Sequence, residues 1–195
     1  HAKFDLNEGV VAVFNFWMEY VLTAGKPLAI YLDKFSTYKI NHKSAVDNFE
    51  LMTQFQKAMK LLSIQVINAN SPEAKGRVER LFGTLQDRLV KEMRLVGINT
   101  KEEGNKYLKE VFLSKFNKQF SVIAAMEGNV HKSLLREEQL QLSHIFSIHE
   151  TRRVNLDFTV QFKNTWYQLT EIQPTTVRPL QRVTMETWLN QSVHI

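Results

Sequence analysis

Two short apolar runs, "LAIYLD" at 28–33 and "IQVINA" at 64–69, constrain this chain most, because each sits between segments of helical periodicity. The first ends in a carboxylate and reads as a buried strand, and the second reads as another. Before them, "DLNEGVVAVFNFWMEYVLTAGKP" sets Val10, Phe14, Trp17 and Val21 at helical spacing. A capping box opens that helix, with Asp5 accepting from the Glu8 amide and Glu8 reaching back, and Gly25 and Pro27 stop it. Between the runs, "DNFELMTQFQKAMKLLS" (47–63) puts Phe49, Met52, Phe55, Met59 and Leu62 on one side of a second helix. A long helix then begins near Ser71, a natural N-cap, with Pro72 in its first turn. It runs to about Gly97 on a core stripe of Val78, Leu81, Leu85 and Leu89. Thr100 caps another, with Tyr107, Leu108, Val111, Phe112 and Phe116 facing inward. Helix, strand, helix, strand, helix is an α/β pattern with the sheet between helical layers.

The pattern changes after about Ala125. "HKSLLREEQLQLSHIF" reads as a polar connecting helix. From 154, "VNLDFTVQFKNTWYQL" alternates around Lys163-Asn164, a turn signal, and "RPLQRVTMETWLNQSVHI" adds two short strands. Three units follow: an α/β core over 1–125, a helical linker over 126–152 and a small β-barrel over 153–195. The chain opens with His1 rather than Met, which predicts a piece of a longer protein.

Composition narrows the function classes. With 44% hydrophobic and 11% aromatic residues the chain is a folded one. No apolar run reaches the roughly 20 residues that cross a membrane, and no basic-then-apolar leader is present. The absence of cysteine excludes disulfides and thiolate zinc sites and fits a reducing cytoplasm. A net charge of +5 and a pI near 9.4 favour an anionic partner, nucleic acid above all.

Two acids stand at ends of structure. Asp33 closes a strand, and Glu79 lies two turns into the helix after the next strand. In an α/β sheet the carboxyl ends of strands and the starts of the following helices share one edge. Lys75, Glu79 and Gln86 project from one face of the long helix, with Val78, Leu81 and Leu85 behind it. Carboxylates so placed suit Mg²⁺, which takes one or two of them with substrate phosphates and water. Spacing alone leaves the alternative open that Asp33 caps a loop and Glu79 pairs with Lys75.

The phrases "YLDKFSTYKIN" and "INANSPEAKGRVERLFGTLQDRLVKEMR" together resemble the catalytic core of DDE-type transposases and retroviral-type integrases, and within them the ISNCY group of insertion-sequence transposases. The resemblance rests on Asp33, Asn70, Ser71, Pro72, Gly76, Glu79 and Arg80, and covers about residues 4–125. It implies an RNase H-like three-layer fold, incomplete at its N-terminus. It also implies that Asp33 and Glu79 are the second and third acids of a triad holding Mg²⁺ or Mn²⁺ for phosphodiester cleavage and strand transfer. Lys34, Asn70, Lys75, Gly76, Arg77 and Arg80 would then meet DNA, the cations neutralising phosphates and Gly76 admitting the backbone. The implied partners are mobile-element ends, target DNA and further copies of the chain. The implied setting is cytoplasmic, at a bacterial nucleoid.

The chain departs from the family at the first aspartate, which belongs on an earlier strand. No such strand is written here, and Asp5 reads as an N-cap. A second reading therefore stands beside the enzyme: a catalytically incomplete transposase fragment that binds DNA or multimerises. An unrelated α/β interaction module is a third. His144 and His149, five residues apart, do not share a helical face and so do not read as a zinc pair. Trp166, Tyr167 and Trp188 read as core of the small barrel rather than base-stacking platforms.

Overall fold

The first helix, α1 (Val10–Ala24), starts from Gly9 and ends at Gly25, whose φ is 81°. Only glycine serves there: a Cβ at Gly25 would stand 2.7 Å from the Lys132 carbonyl oxygen. The computed structural model describes residues 1–6, 9–32, 54–68, 72–123 and 127–195. Asp5 does not cap α1, because the N-cap is Gly9. The Asp5 carboxylate instead accepts from the Leu6 amide at 2.8 Å and pairs with Lys101 at 3.6 Å. Glu8, Phe49 and Met52 lie outside the described residues.

After α1 come β1 (Lys26–Pro27) and β2 (Ala29–Leu32), then α2 (Gln54–Leu61) and β3 (Gln65–Asn68). Strands β2 and β3 pair in parallel, Ala29 against Gln65 through to Leu32 against Asn68. Over the described residues, these strands and helices lie within the runs whose apolar periodicity predicts them. One face of the pair, through Ile30, Leu32 and Val66, packs into a core with Val13, Phe14, Val21, Phe55, Met59 and Leu62. Aromatic contacts, Phe14 edge-on to Phe146 at 5.6 Å and Trp17 tilted on Phe55 at 5.8 Å, add direction to that burial. The other face carries Tyr31 and Ile67, 46% and 41% exposed, so among the described residues one helical layer covers the sheet rather than two.

The long helix α3 (Pro72–Leu95) leads to α4 (Lys101–Tyr107), a π-helical turn (Leu108–Phe112) and α5 (Leu113–Phe120). Thr100 caps α4 as anticipated, its hydroxyl accepting from the Glu103 amide at 3.3 Å. Leu89, Leu108 and Phe112 form a second core, flanked by Phe4, Leu85, Met93, Tyr107 and Phe116. Asn105 fastens the N-terminal segment to this core by accepting from the Phe4 amide at 2.7 Å and donating to its carbonyl at 3.0 Å.

Strand β4 (His131–Lys132) returns to pair antiparallel with β1. Two short helices follow, α6 (Arg136–Leu140) and α7 (Leu142–Ile145), where one polar helix was anticipated. The second is apolar where it counts: Leu142, Ile145 and Phe146 sit in the core of α1 and α2. The tail then runs through β5 (Ile148–Arg153), β6 (Thr159–Phe162), β7 (Thr165–Gln168), β8 (Arg182–Thr187) and β9 (Val193–His194). The order β5–β8–β9 forms one antiparallel sheet and β6–β7 a separate hairpin, so the strands do not close into a hydrogen-bonded barrel. Lys163 and Asn164 turn that hairpin with φ of 48° and 61°, as two-residue turns of this hand require. Val154, Val160, Phe162 and Met185 bury a small core between the two sheets.

An ion pair joins β1 to α6. The Lys26 ammonium donates to Glu138, and both side chains are largely buried, 13% and 17% exposed. Burial opposes the charge on Glu138, but the Lys26 hydrogen bond, the Leu135 amide and the Lys26 charge outweigh it and hold the carboxyl below its ordinary 4.5. A carboxyl lowered on folding stabilises above its unfolded pKa and loses that contribution as pH falls through the folded value. Glu138→Gln, which strands a buried ammonium, is expected to cost about 2 kcal/mol at neutral pH. In urea unfolding at stepped pH, the gap between parent and variant should close below the usual carboxylate range. A gap that persisted there would assign the cost to packing instead.

Candidate functional site at the strand edge and helix α3

Parallel register sets the site. Leu32 and Asn68 are the last residues of their strands and face each other, so both carboxyl ends open on one edge. Asp33 and Lys34 follow Leu32, and Asn70 and Ser71 follow Asn68 by two and three residues. All four lie outside the described residues. Asn68 is a residue that spacing did not single out. Its Oδ1 is buried and has no hydrogen-bond partner, alone in this among the described side chains. An orphaned buried acceptor costs about 1–3 kcal/mol, so its place at this edge asks for an explanation. Its signal in the sequence was the run of asparagines in "INAN".

Helix α3 leaves this edge from Pro72. The side chains of Lys75, Arg77 and Val78 lie outside the described residues. Glu79 and Arg80 are exposed, as is Gln86. Gly76 lies three residues before Glu79 and four before Arg80, hence on their side of the helix. A Cβ at Gly76 would meet nothing within 4 Å, and the same holds at Gly83. Seven residues apart, the two glycines fall on one side. Internal packing demands neither of them, although each weakens a helix by roughly 0.5–1 kcal/mol against alanine. The result is a helix face bare of bulky side chains around an exposed acid and an exposed guanidinium.

The apolar stripe of α3 is shorter than its spacing implied. Leu89 is buried and Leu85 joins the same core, but Leu81 is 45% and Phe82 58% exposed. Among the described residues the helix packs through its C-terminal half, on the π-helical turn. Further along, Arg88 donates to Gln119 at 3.1 Å and lies 4.8 Å from the Phe120 ring centroid. Lys91 pairs with Asp87 one turn earlier. Those cations are engaged locally.

A second constellation arises in the tail, where sequence spacing argued against one. His144 lies in the last turn of α7 and His149 on β5, so helical spacing does not apply to them. His149 pairs across the ladder with Glu186 of β8. His144 Nδ1 lies 2.7 Å from Glu186 Oε1, and one ligand atom from each of the three residues falls within 4.8 Å of the others. Trp188 donates its indole N–H to Glu186 Oε2 at 3.1 Å and stacks on His194 at 3.7 Å. Trp166, in contrast to the core role read for it, is 59% exposed, while Tyr167 packs on the tail core.

No known family profile matches the chain. It is 35% identical over 174 residues to a Sinorhizobium fredii protein named "Putative transposase y4bF", an alignment covering 89% of this chain and 37% of that protein. It is 33% identical over 175 residues to the "Transposase for insertion sequence IS1202" of Streptococcus pneumoniae, covering 87% of this chain and 36% of that one. The chain thus spans a little over a third of the length of these curated relatives. At such identity across nearly nine-tenths of its length, the chain is homologous to a segment of proteins named as transposases.

Proposed function

We propose that this chain is part of an RNase H-like DNA strand-transfer core of the ISNCY type, supplying its second and third acids, Asp33 and Glu79. One observation carries the reading: the parallel register of β2 and β3. It sets the strand end before Asp33 against the strand end that leads, through Asn70, Ser71 and Pro72, into the helix bearing Gly76, Glu79 and Arg80. The kinship with transposases supports the same assignment.

The donors at this edge are hard oxygens, the two carboxylates together with the unpartnered Asn68 Oδ1, and they fit Mg²⁺ or Mn²⁺. When bound, such ions activate a water or a DNA 3′-hydroxyl and stabilise the leaving oxygen in an in-line displacement. The chain's own residues position and neutralise. Lys34, Lys75, Arg77 and Arg80 take the phosphates around the scissile bond, and Asn70 adds a polar contact at the helix start. Gly76 and Gly83 let the DNA backbone approach the helix. The substrates are mobile-element ends and target DNA, the working form is a multimer, and the setting is the bacterial nucleoid. The chain divides into a core over 1–125, a linker over 126–152 and a β-rich module over 153–195 that contacts DNA or holds the multimer.

A second reading, a DNA-binding or multimerising fragment without catalysis, draws support from the open face of the β2–β3 pair. Parallel pairs are ordinarily covered on both faces, and Tyr31 and Ile67 are not.

The decisive experiment is Mn²⁺ titration by calorimetry of the parent and of Asp33→Asn and Glu79→Gln. Convergence of both acids on one ion requires α3 to pass beside the strand edge, and then each substitution abolishes binding. Binding that survived either one would separate the acids and leave the fragment reading. DNA retention tests the cationic face by itself. Four phosphate contacts predict a log–log salt slope of about −3.6, a loss of roughly a hundredfold between 50 and 200 mM salt. A flat salt response would remove DNA as the partner. Gly76→Ala should raise the unfolding free energy by about 0.5–1 kcal/mol while weakening DNA retention. Gain of stability with unchanged retention would return Gly76 to the bare helix.

A further inference from the structure

We propose that His144, His149 and Glu186 bind a zinc-class ion that clamps the β-rich tail to the α/β core. Three elements supply the ligands: the end of α7, strand β5 and strand β8. The pairing of His149 with Glu186 across an antiparallel ladder puts both side chains on one face of the sheet, and the chain returns His144 to that face from the helix before it.

Protonation states follow from the neighbours. The His149 Nε2 lies 3.0 Å from the His144 carbonyl oxygen, which only accepts, so Nε2 carries the hydrogen and Nδ1 keeps its lone pair. A metal-binding histidine characteristically donates its other ring N–H in this way. His144 Nδ1 and Glu186 Oε1, at 2.7 Å, share one proton between a basic nitrogen and a carboxylate. A divalent ion replaces that proton and binds both. Donors to a single tetrahedral zinc at 2.0–2.1 Å stand about 3.4 Å apart. One ligand atom from each residue lies within 4.8 Å of the others, so closing to that spacing takes side-chain shifts of up to about 1.4 Å. The second carboxylate oxygen, held by the Trp188 indole N–H, fixes the orientation of Glu186. His144 is 43% exposed at its side chain while Glu186 is 14% exposed, so the cluster has an entrance from solvent and a buried anchor.

Two imidazoles and one carboxylate make a mixed nitrogen–oxygen set, which selects zinc, cobalt or nickel over magnesium. With water in the fourth place, the ion would link residues otherwise joined by a few hydrogen bonds. Leu142, Ile145 and Phe146 root the α7 side in the first core, and Met185 roots β8 in the tail core. Gln54 of α2 already grips His149 by accepting from its amide at 3.1 Å and donating to its carbonyl at 2.7 Å. An ion there would act at the joint between the two cores.

The test is Zn²⁺ titration by calorimetry with Mg²⁺ in excess, repeated with Co²⁺ followed by visible absorption. The expected result is one ion per chain, the absorption of a tetrahedral site, and a Tm that rises with zinc. His149→Gln and Glu186→Gln should each weaken binding about a hundredfold. The double variant Asp33→Asn/Glu79→Gln should bind as the parent does. Imidazole ¹⁵N resonances of the unsubstituted chain give a readout that no misfolded variant can blur: His144 and His149 should shift on adding zinc, and His131 should not. No binding by the parent, unmoved His144 and His149 resonances, or loss of zinc in the Asp33/Glu79 double variant would each overturn the proposal.

Discussion

The parallel pairing of Ala29–Leu32 with Gln65–Asn68 is the constraint on which the rest depends. Thirty-two residues separate the ends of the two strands, so the pairing is non-local and its closure entropy must be offset by burial. That burial comes from one side. Ile30, Leu32 and Val66 reach into a core whose largest members, Phe14, Phe55 and Phe146, are fully buried and arrive from α1, α2 and the segment after α7. Each such side chain contributes about 1.5–3 kcal/mol when removed from water. The register is therefore held by residues from both ends of the chain. A slip of β3 by one residue would turn Val66 outward and Ile67 inward. It would also separate Leu32 from Asn68, and with them the edge on which the candidate acids depend.

Helix α3 shows how one element can serve two ends. Its C-terminal half buries Leu89 against Leu108 and Phe112, and the π-helical turn widens the partner helix where that contact is made. Among the described residues its N-terminal half contributes none to the three cores. A helix projecting two turns past its own packing pays in stability for each glycine there, and this one holds two. Such an arrangement suits a rod anchored at one end that presents the other to a large, charged partner.

Much of this was legible in the sequence because it is local. The Lys163-Asn164 turn, the Thr100 cap and the glycine stop at Gly25 follow from single residues whose backbone or side-chain demands have few solutions. What failed was non-local. Leu81 has the right spacing for a core stripe, but spacing says nothing about whether another element lies opposite, and it stays 45% exposed. The connecting segment reads as polar because Glu137 and Glu138 dominate it, although Leu142, Ile145 and Phe146 are what it buries. The tail has strands enough for a barrel, but the residues 169–181 between β7 and β8 form no strand and leave two sheets. His144 and His149 were judged by helical spacing, and the helix stops between them.

The two candidate metal centres differ in the chemistry of their donors, and that difference orders their roles. At the strand edge the proposed donors are oxygens, a set that would leave room for a phosphate to complete the coordination. A site of that kind depends on its substrate and gives little to the fold. In the tail the donors are two imidazoles and a carboxylate, oriented by a backbone carbonyl and an indole N–H before any ion arrives. Preorganised donors lose less freedom on binding, and an ion they hold adds its binding free energy to the folded state. Magnesium at cellular excess does not compete well for imidazole nitrogen, and zinc at a hard-oxygen edge meets ligands that favour its rivals. On the proposed assignments, donor softness would separate the two sites, one ion belonging to the fold and the other to the substrate.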